Sequence, residues 1–176
     1  MSTLKLNNLE AATGTTINIA SGDKLTGATG SIAAPGSVLQ VVNATHETAV
    51  STTSTSFVTT GLTASITPQS TSSKILISFS TAVYKSAGNA HGITTIFRGT
   101  VSGTDLGASN SWGFGAHYEP ANSDDSTGTN TATFLDSPST TSSQTYTIGI
   151  RSNTGTAVYA QGNASKGTIT LMEIAQ

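Results

Sequence analysis

The chain has 176 residues, a net charge of −2 and no cysteine, which excludes disulfides, zinc–thiolate sites and thiol catalysis. Charged residues make up 9%, against roughly 25% in an ordinary soluble domain, and the seven Lys and Arg form no cluster that would draw the chain to nucleic acid. No run approaches the ~18 apolar residues of a membrane span, so no membrane insertion is expected, and no basic stretch followed by an apolar run marks a signal peptide.

The N-terminal stretch, Leu4 to Gly36, carries few apolar residues. Leu4, Leu6 and Leu9 come first, Ile17 and Ile19 alternate after Gly14, and Leu25 stands between Gly22 and Gly27. This pattern reads as short β elements broken by glycine. It holds too little apolar surface to offset its own ordering entropy. Residues 1–36 are therefore expected to form an extended β arm, ordered against its own copies, the body or a larger assembly. "AAPG" (Ala33–Gly36) reads as the joint into a body spanning 37–176.

From Ser37 onward the signal is strands and turns. "VLQVVN" (Val38–Asn43) is the first strand, and "SFVTTGLTASITP" (Ser56–Pro68) makes one or two strands around Gly61. "KILISFSTAVYK" (Lys74–Lys85) is the clearest: Ile75, Ile77, Phe79, Thr81 and Val83 share one face at a period of two. "GITTIFRG" (Gly92–Gly99), the turn "TVSGTDLG" and "SWGFGAHY" (Ser111–Tyr118) follow. "EPANSDDSTGTN" (Glu119–Asn130) reads as an exposed polar loop. "TATFLD" (Thr131–Asp136), "TYTIGIRS" (Thr145–Ser152), "AVYAQG" (Ala157–Gly162) and "GTITLMEIA" (Gly167–Ala175) complete the set, with "NTG" as a hairpin turn between the second and third of these. No helical period exceeds two turns. About nine or ten antiparallel strands at roughly 8–12-residue spacing predict an all-β sandwich or jelly roll. Thr and Ser supply about a third of the chain, so its wet faces are built from hydroxyls more than from ions.

The blocks "MSTLKLNNLEAATGTTINIASGDKL", "APGSVLQVV", "STTSTSFVTTGLTASITPQSTSSKILI", "TFLDSPSTTSSQTYTIGIRS" and "TITLMEIAQ" occur in that order. This layout resembles structural proteins of tailed phages, especially those of cyanobacteria and marine bacteria, over nearly the whole chain. The match is least in Ser86 to Asn130, where a receptor-contacting loop would sit. The resemblance implies a virion component, tail-fibre-like or head-decorating, assembled in the host cytoplasm with other virion proteins. At the level of fold, "KILISFSTAVYK…GITTIFRGTVSGTDLG" is similar to the central strands of trimeric tumour-necrosis-factor and complement heads. That likeness concerns the fold and leaves function open.

Catalytic chemistry finds little support. Ser, His and Asp are present, but there is no Gly-x-Ser-x-Gly. His46, His91 and His117 lack metal-ligand spacing on one element. Asp124 and Asp125 do not follow the alternation of an EF-hand loop. Asp105, Glu119, Asp136 and Glu173 show no pairing suited to glycan cleavage. No metal, cofactor or enzymatic activity is expected.

The aromatic stretch "WGFGAHY" holds the single Trp of the chain. Aromatic faces stack on sugars and anchor interfaces. Alternation of Trp112, Phe114 and Ala116 reads as the core side of one strand, while His117 and Tyr118 adjoin the polar loop. Trp112, His117 and Tyr118 are the candidate ligand or receptor contacts. With the resemblance to tailed-phage structural proteins, the expectation is a homotrimeric virion structural protein with a charge-poor interface of alternating Val, Ile and Thr. Its expected partners are virion proteins and a host-surface glycan. The alternatives are a capsid decoration protein and a carbohydrate-binding module.

Overall fold

Alternating apolar and hydroxyl side chains build the strands of the computed structural model, which describes residue 21 and residues 34–85, 90–107, 109–118 and 126–176. The chain divides into two units, Met1–Ile32 and Ala33–Gln176. The strands are β1 (Val38–His46), β2 (Val50–Thr52), β3 (Val58–Ile66), β4 (Lys74–Lys85), β5 (His91–Arg98), β6 (Thr104–Asp105), β7 (Gly115–Tyr118), β8 (Ser126–Asp136), β9 (Gln144–Ser152), β10 (Val158–Ala160) and β11 (Gly167–Ile174). The arm positions Leu4, Leu6, Leu9, Ile17, Ile19 and Leu25 lie outside the described residues, as do Asp124 and Asp125.

Two antiparallel sheets pack face to face. In the first, β4 pairs with β8 along one edge, and with β11 and then β10 along the other. Beyond these lie β1 beside β11 and β2 beside β10. In the second, β5 pairs with β9 on one edge and with β7 and β6 on the other, and β3 lies beyond β9. The long strands therefore run β1-β11-β4-β8 and β3-β9-β5-β7, with the chain repeatedly crossing between sheets. This is a jelly-roll arrangement of the β-sandwich.

The core fills the space between the sheets. Ile75, Ile77, Phe79, Thr81 and Val83 all point inward and are at most 3% exposed, as the period of two requires. Leu62, Ile66, Ile96 and Ile148 meet them from the second sheet. Strand β3 is one strand with a bulge between Thr59 and Thr63, centred on Gly61 at φ 79°. Thr60 remains inward there, its hydroxyl donating to the Ile148 carbonyl at 2.9 Å.

Two sequence expectations change. Ser126–Asn130, read as loop, is strand. Its polar residues conceal the period, because Asn130 is buried while its side-chain amide donates to Gly92 O at 3.2 Å and Thr94 Oγ1 at 3.0 Å. The "NTG" turn does not close a hairpin. It carries the chain from β9 in the second sheet to β10 in the first.

The outward face of the first sheet has its own order. Val41, Met172, Leu76 and Leu135 stand in one row across four strands. The next row is Asn43, Thr170, Ser78 and Thr133, and the third is Thr45, Thr168, Ser80 and Thr131. Hydroxyl and amide groups pair across the strands, with Asn43 Nδ2 donating to Thr170 Oγ1 at 2.9 Å. These three rows hold no charged residue, and Lys74 stands at the rim beyond the first of them, opposite Ile174.

Candidate functional site on the outer face of the second sheet

Strand β5 is buried on both sides from Gly92 to Phe97. Thr94 and Ile96 face the core, and Ile93, Thr95 and Phe97 face outward. Ile93 and Thr95 are nonetheless 0% exposed, because the segment between β6 and β7 folds back over them. Asp105 Oδ1 anchors that segment, accepting from the Thr95 hydroxyl at 2.6 Å and from Gly107 N–H at 2.9 Å. Leu106 N–H donates to Ile96 O and Phe114 N–H to Thr94 O, each at 2.9 Å.

A backbone kink sorts the aromatic stretch. Ser111 and Gly113 have φ of 64° and 58°, and a Cβ on Gly113 would stand 2.3 Å from Thr94 O, so only glycine fits. The kink turns Phe114 inward, where its ring meets Phe134 at 5.4 Å. It leaves Trp112 outside at 43% exposure. The alternation that assigned Trp112 to the core is therefore broken at Gly113.

Trp112 and Tyr118 converge on a residue that sequence reasoning did not select. Tyr118, 46% exposed, stacks on the His91 ring at 4.3 Å and 16°. Trp112 meets the same ring edge-on at 5.0 Å and 89°. Burial lowers the His91 pKa below its ordinary value, which favours the neutral imidazole. His117 does not join the cluster. It points to the other side of the sheet, toward β8, where a Cβ on Gly128 would stand 2.2 Å from its Nδ1. Neighbours in a strand point to opposite faces, so His117 and Tyr118 cannot serve one surface.

Beside this cluster lies a groove of about 450 Å³ lined by Phe57, Phe97, Val101, Asp105, Ser111 and Arg151, among others. The Phe57 ring meets Phe97 at 5.5 Å and 73°, and the Arg151 guanidinium lies 5.5 Å from the Phe57 centroid. Arg151 Nε and Nη2 donate to Ser111 O at 2.9 and 2.6 Å. Phe57 and Arg151 carried no sequence signal: Phe57 sits in a Ser/Thr run, and the residues meet because the segment before β3 runs beside β9, where Ser152 N–H donates to Ser54 O at 2.8 Å.

Another group of titratable side chains closes one end of the core. Asp136 Oδ2 accepts from Arg98 Nε at 2.8 Å and from the Tyr146 hydroxyl at 2.7 Å, and Asp136 Oδ1 pairs with Arg98 Nη2. Burial, then the bond to Asp136, raises the Tyr146 pKa far above its ordinary value. Glu173 is 0% exposed. Burial would raise its pKa, but bonds from the Gln40 side chain and the Gln69 and Ser70 amides outweigh that and hold it below the ordinary value. Among the described residues no three His, Asp or Glu come together as a metal site would require. No family model and no curated protein matches the chain.

Proposed function

We propose that the chain is a non-enzymatic structural protein of a tailed-phage virion. In this reading it is a tail-fibre-like appendage that assembles in the host cytoplasm as a homotrimer, alongside other virion proteins. The N-terminal block and the "FLDSP…TYTI…LMEI" ending support the virion part. The observation that carries the assembly part is the outward face of the first sheet. Its apolar row includes Val41 at 56% and Leu135 at 45% exposure, with Val38 at 52% beside it. The two rows that follow it toward Thr45 are hydroxyls and amides that both donate and accept. Self-association sets copies of one surface around a symmetry axis. A nearly uncharged face avoids the like-charge repulsion that such pairing brings.

Light scattering tests this on the full chain and on a version beginning at Ala34. The body includes that turn, since Gly36 N–H donates to Ala175 O at 2.8 Å. A full-length trimer that survives truncation assigns assembly to the sheet face. A trimer lost on truncation assigns it to the arm. A monomer in both forms overturns the homotrimer and leaves capsid decoration, with order imposed by the shell, as the virion role. The exposed Trp112–His91–Tyr118 cluster favours host-surface contact as a second role. Loss of host adsorption with Trp112→Ala and Tyr118→Ala is the expected result, and unchanged adsorption removes that role.

A further inference from the structure

We propose that the groove between Phe57, Arg151 and Asp105 binds one neutral pyranose unit of a polysaccharide. Its volume, about 450 Å³, falls within the roughly 300–1,000 Å³ of small-ligand clefts. It opens on the outer face of the second sheet, opposite the first sheet's outward face. The proposal goes beyond the assembly role, and either can fail alone.

Three features select the ligand. The first is an apolar floor of Phe57 and Val101, with Phe97 buried against Phe57, which suits the C–H face of a pyranose ring. The second is Asp105. Its Oδ1 holds Thr95 and Gly107, and Oδ2 accepts no hydrogen bond among the described residues, so it is available to a sugar hydroxyl. The third is Arg151. Nε and Nη2 donate to Ser111 O, and Nη1 reaches Thr55 O at 3.4 Å and Ser152 O at 3.3 Å. A guanidinium has five N–H donors, so one remains for a ligand oxygen, and the carbonyls fix its direction.

Charge decides between ligand classes. Arg151 and Asp105 line the same groove without forming an ion pair, so the site is neutral as a whole. An anion would gain from Arg151 and lose to Asp105. A neutral polyol donates to Asp105 and accepts from Arg151 at once. Lining hydroxyls such as Ser102 add partners of either sense.

The test is saturation-transfer NMR of the full-length protein with the methyl pyranosides of glucose, mannose and galactose, and with methyl glucuronoside. At least one neutral pyranoside is expected to receive transfer at its ring C–H protons, with a roughly millimolar Kd for so small a ligand. Asp105→Asn keeps an oxygen for Gly107 N–H while removing the carboxylate, and should weaken binding about tenfold. Ser102→Trp, on an exposed turn, should fill the groove and abolish binding with the thermal midpoint unchanged. If Asp105→Asn fails to fold, Ser102→Trp decides alone. No transfer with any neutral pyranoside overturns the proposal, as does binding unaffected by Ser102→Trp. Preference for the glucuronoside, strengthened by Asp105→Asn, also overturns it by making the groove an anion site.

Discussion

Strands β11 and β5 both lie inside their sheets, yet their outward residues meet opposite fates. Along β11 burial alternates strictly, with Thr168, Thr170, Met172 and Ile174 half-exposed. Along β5 six consecutive residues are buried. The inward faces obey the same rule in both sheets. The outward faces differ because the second sheet is covered by the Phe57 side chain and the β6–β7 segment, and among the described residues the first sheet has no such cover. Sheet faces that look alike in period can thus differ in partner. One has found it within the chain, and in our reading the other awaits a second copy.

The sharpest test compares two outward positions. Ile93→Ala, beneath the roof, should cost about 2–4 kcal/mol as a core truncation does. Thr170→Ala, on the open face, should stay within about 0.5 kcal/mol. Chemical denaturation of both variants measures the difference, and equal costs would erase the distinction.

Breaking the roof itself should cost somewhat less. Gly113→Ala places a Cβ against Thr94 O at a left-handed φ and should destabilise by roughly 1–3 kcal/mol. A rise in Trp112 solvent exposure, followed by fluorescence, should accompany it.

On the open face the effect should fall on assembly more than on folding. Met172→Lys puts like charges into every copy's apolar row. Light scattering should show a lower mass, while the unfolding free energy extrapolated to high dilution changes by under about 1 kcal/mol. Unchanged mass would locate assembly elsewhere.

Two groups between the sheets, Tyr146 and Glu173, shape the alkaline and acid limbs of the pH response and serve as a control on the two faces. The folded Tyr146 phenol titrates above its ordinary value. Its stabilisation is complete below about pH 10 and declines as pH rises beyond. Tyr146→Phe should flatten that alkaline decline and cost about 1 kcal/mol at neutral pH. Glu173 titrates below its ordinary value, so its contribution is present above the usual carboxylate range and is lost as pH falls through the folded pKa. Glu173→Gln should flatten the acid limb by the smallest margin of this set.

Much of the architecture was legible from local pattern. Lys74–Lys85 was readable to the residue, because one face of that strand is apolar and its inward side needs no other information. The same logic failed where polarity was internally satisfied, as at Asn130, and where a single glycine reversed the backbone, as at Gly113. Of the candidate contacts, Trp112 and Tyr118 come together through His91, which opens β5 and meets them only because β7 lies beside it. His117 was separated from them by strand alternation, a rule available in the sequence once the strand limits are known.

The period-two runs, the glycine turns and the scarcity of charge are properties of neighbouring residues. They suffice for an all-β body with hydroxyl-rich faces, since steric preference and amphipathic burial act over a few residues. Which strand lies beside which, which outward face is roofed, and that Phe57, Asp105 and Arg151 share one groove depend on contacts between distant segments. Those contacts arise when the sheets close over the common core, and closure brings together side chains whose local surroundings carry no trace of one another.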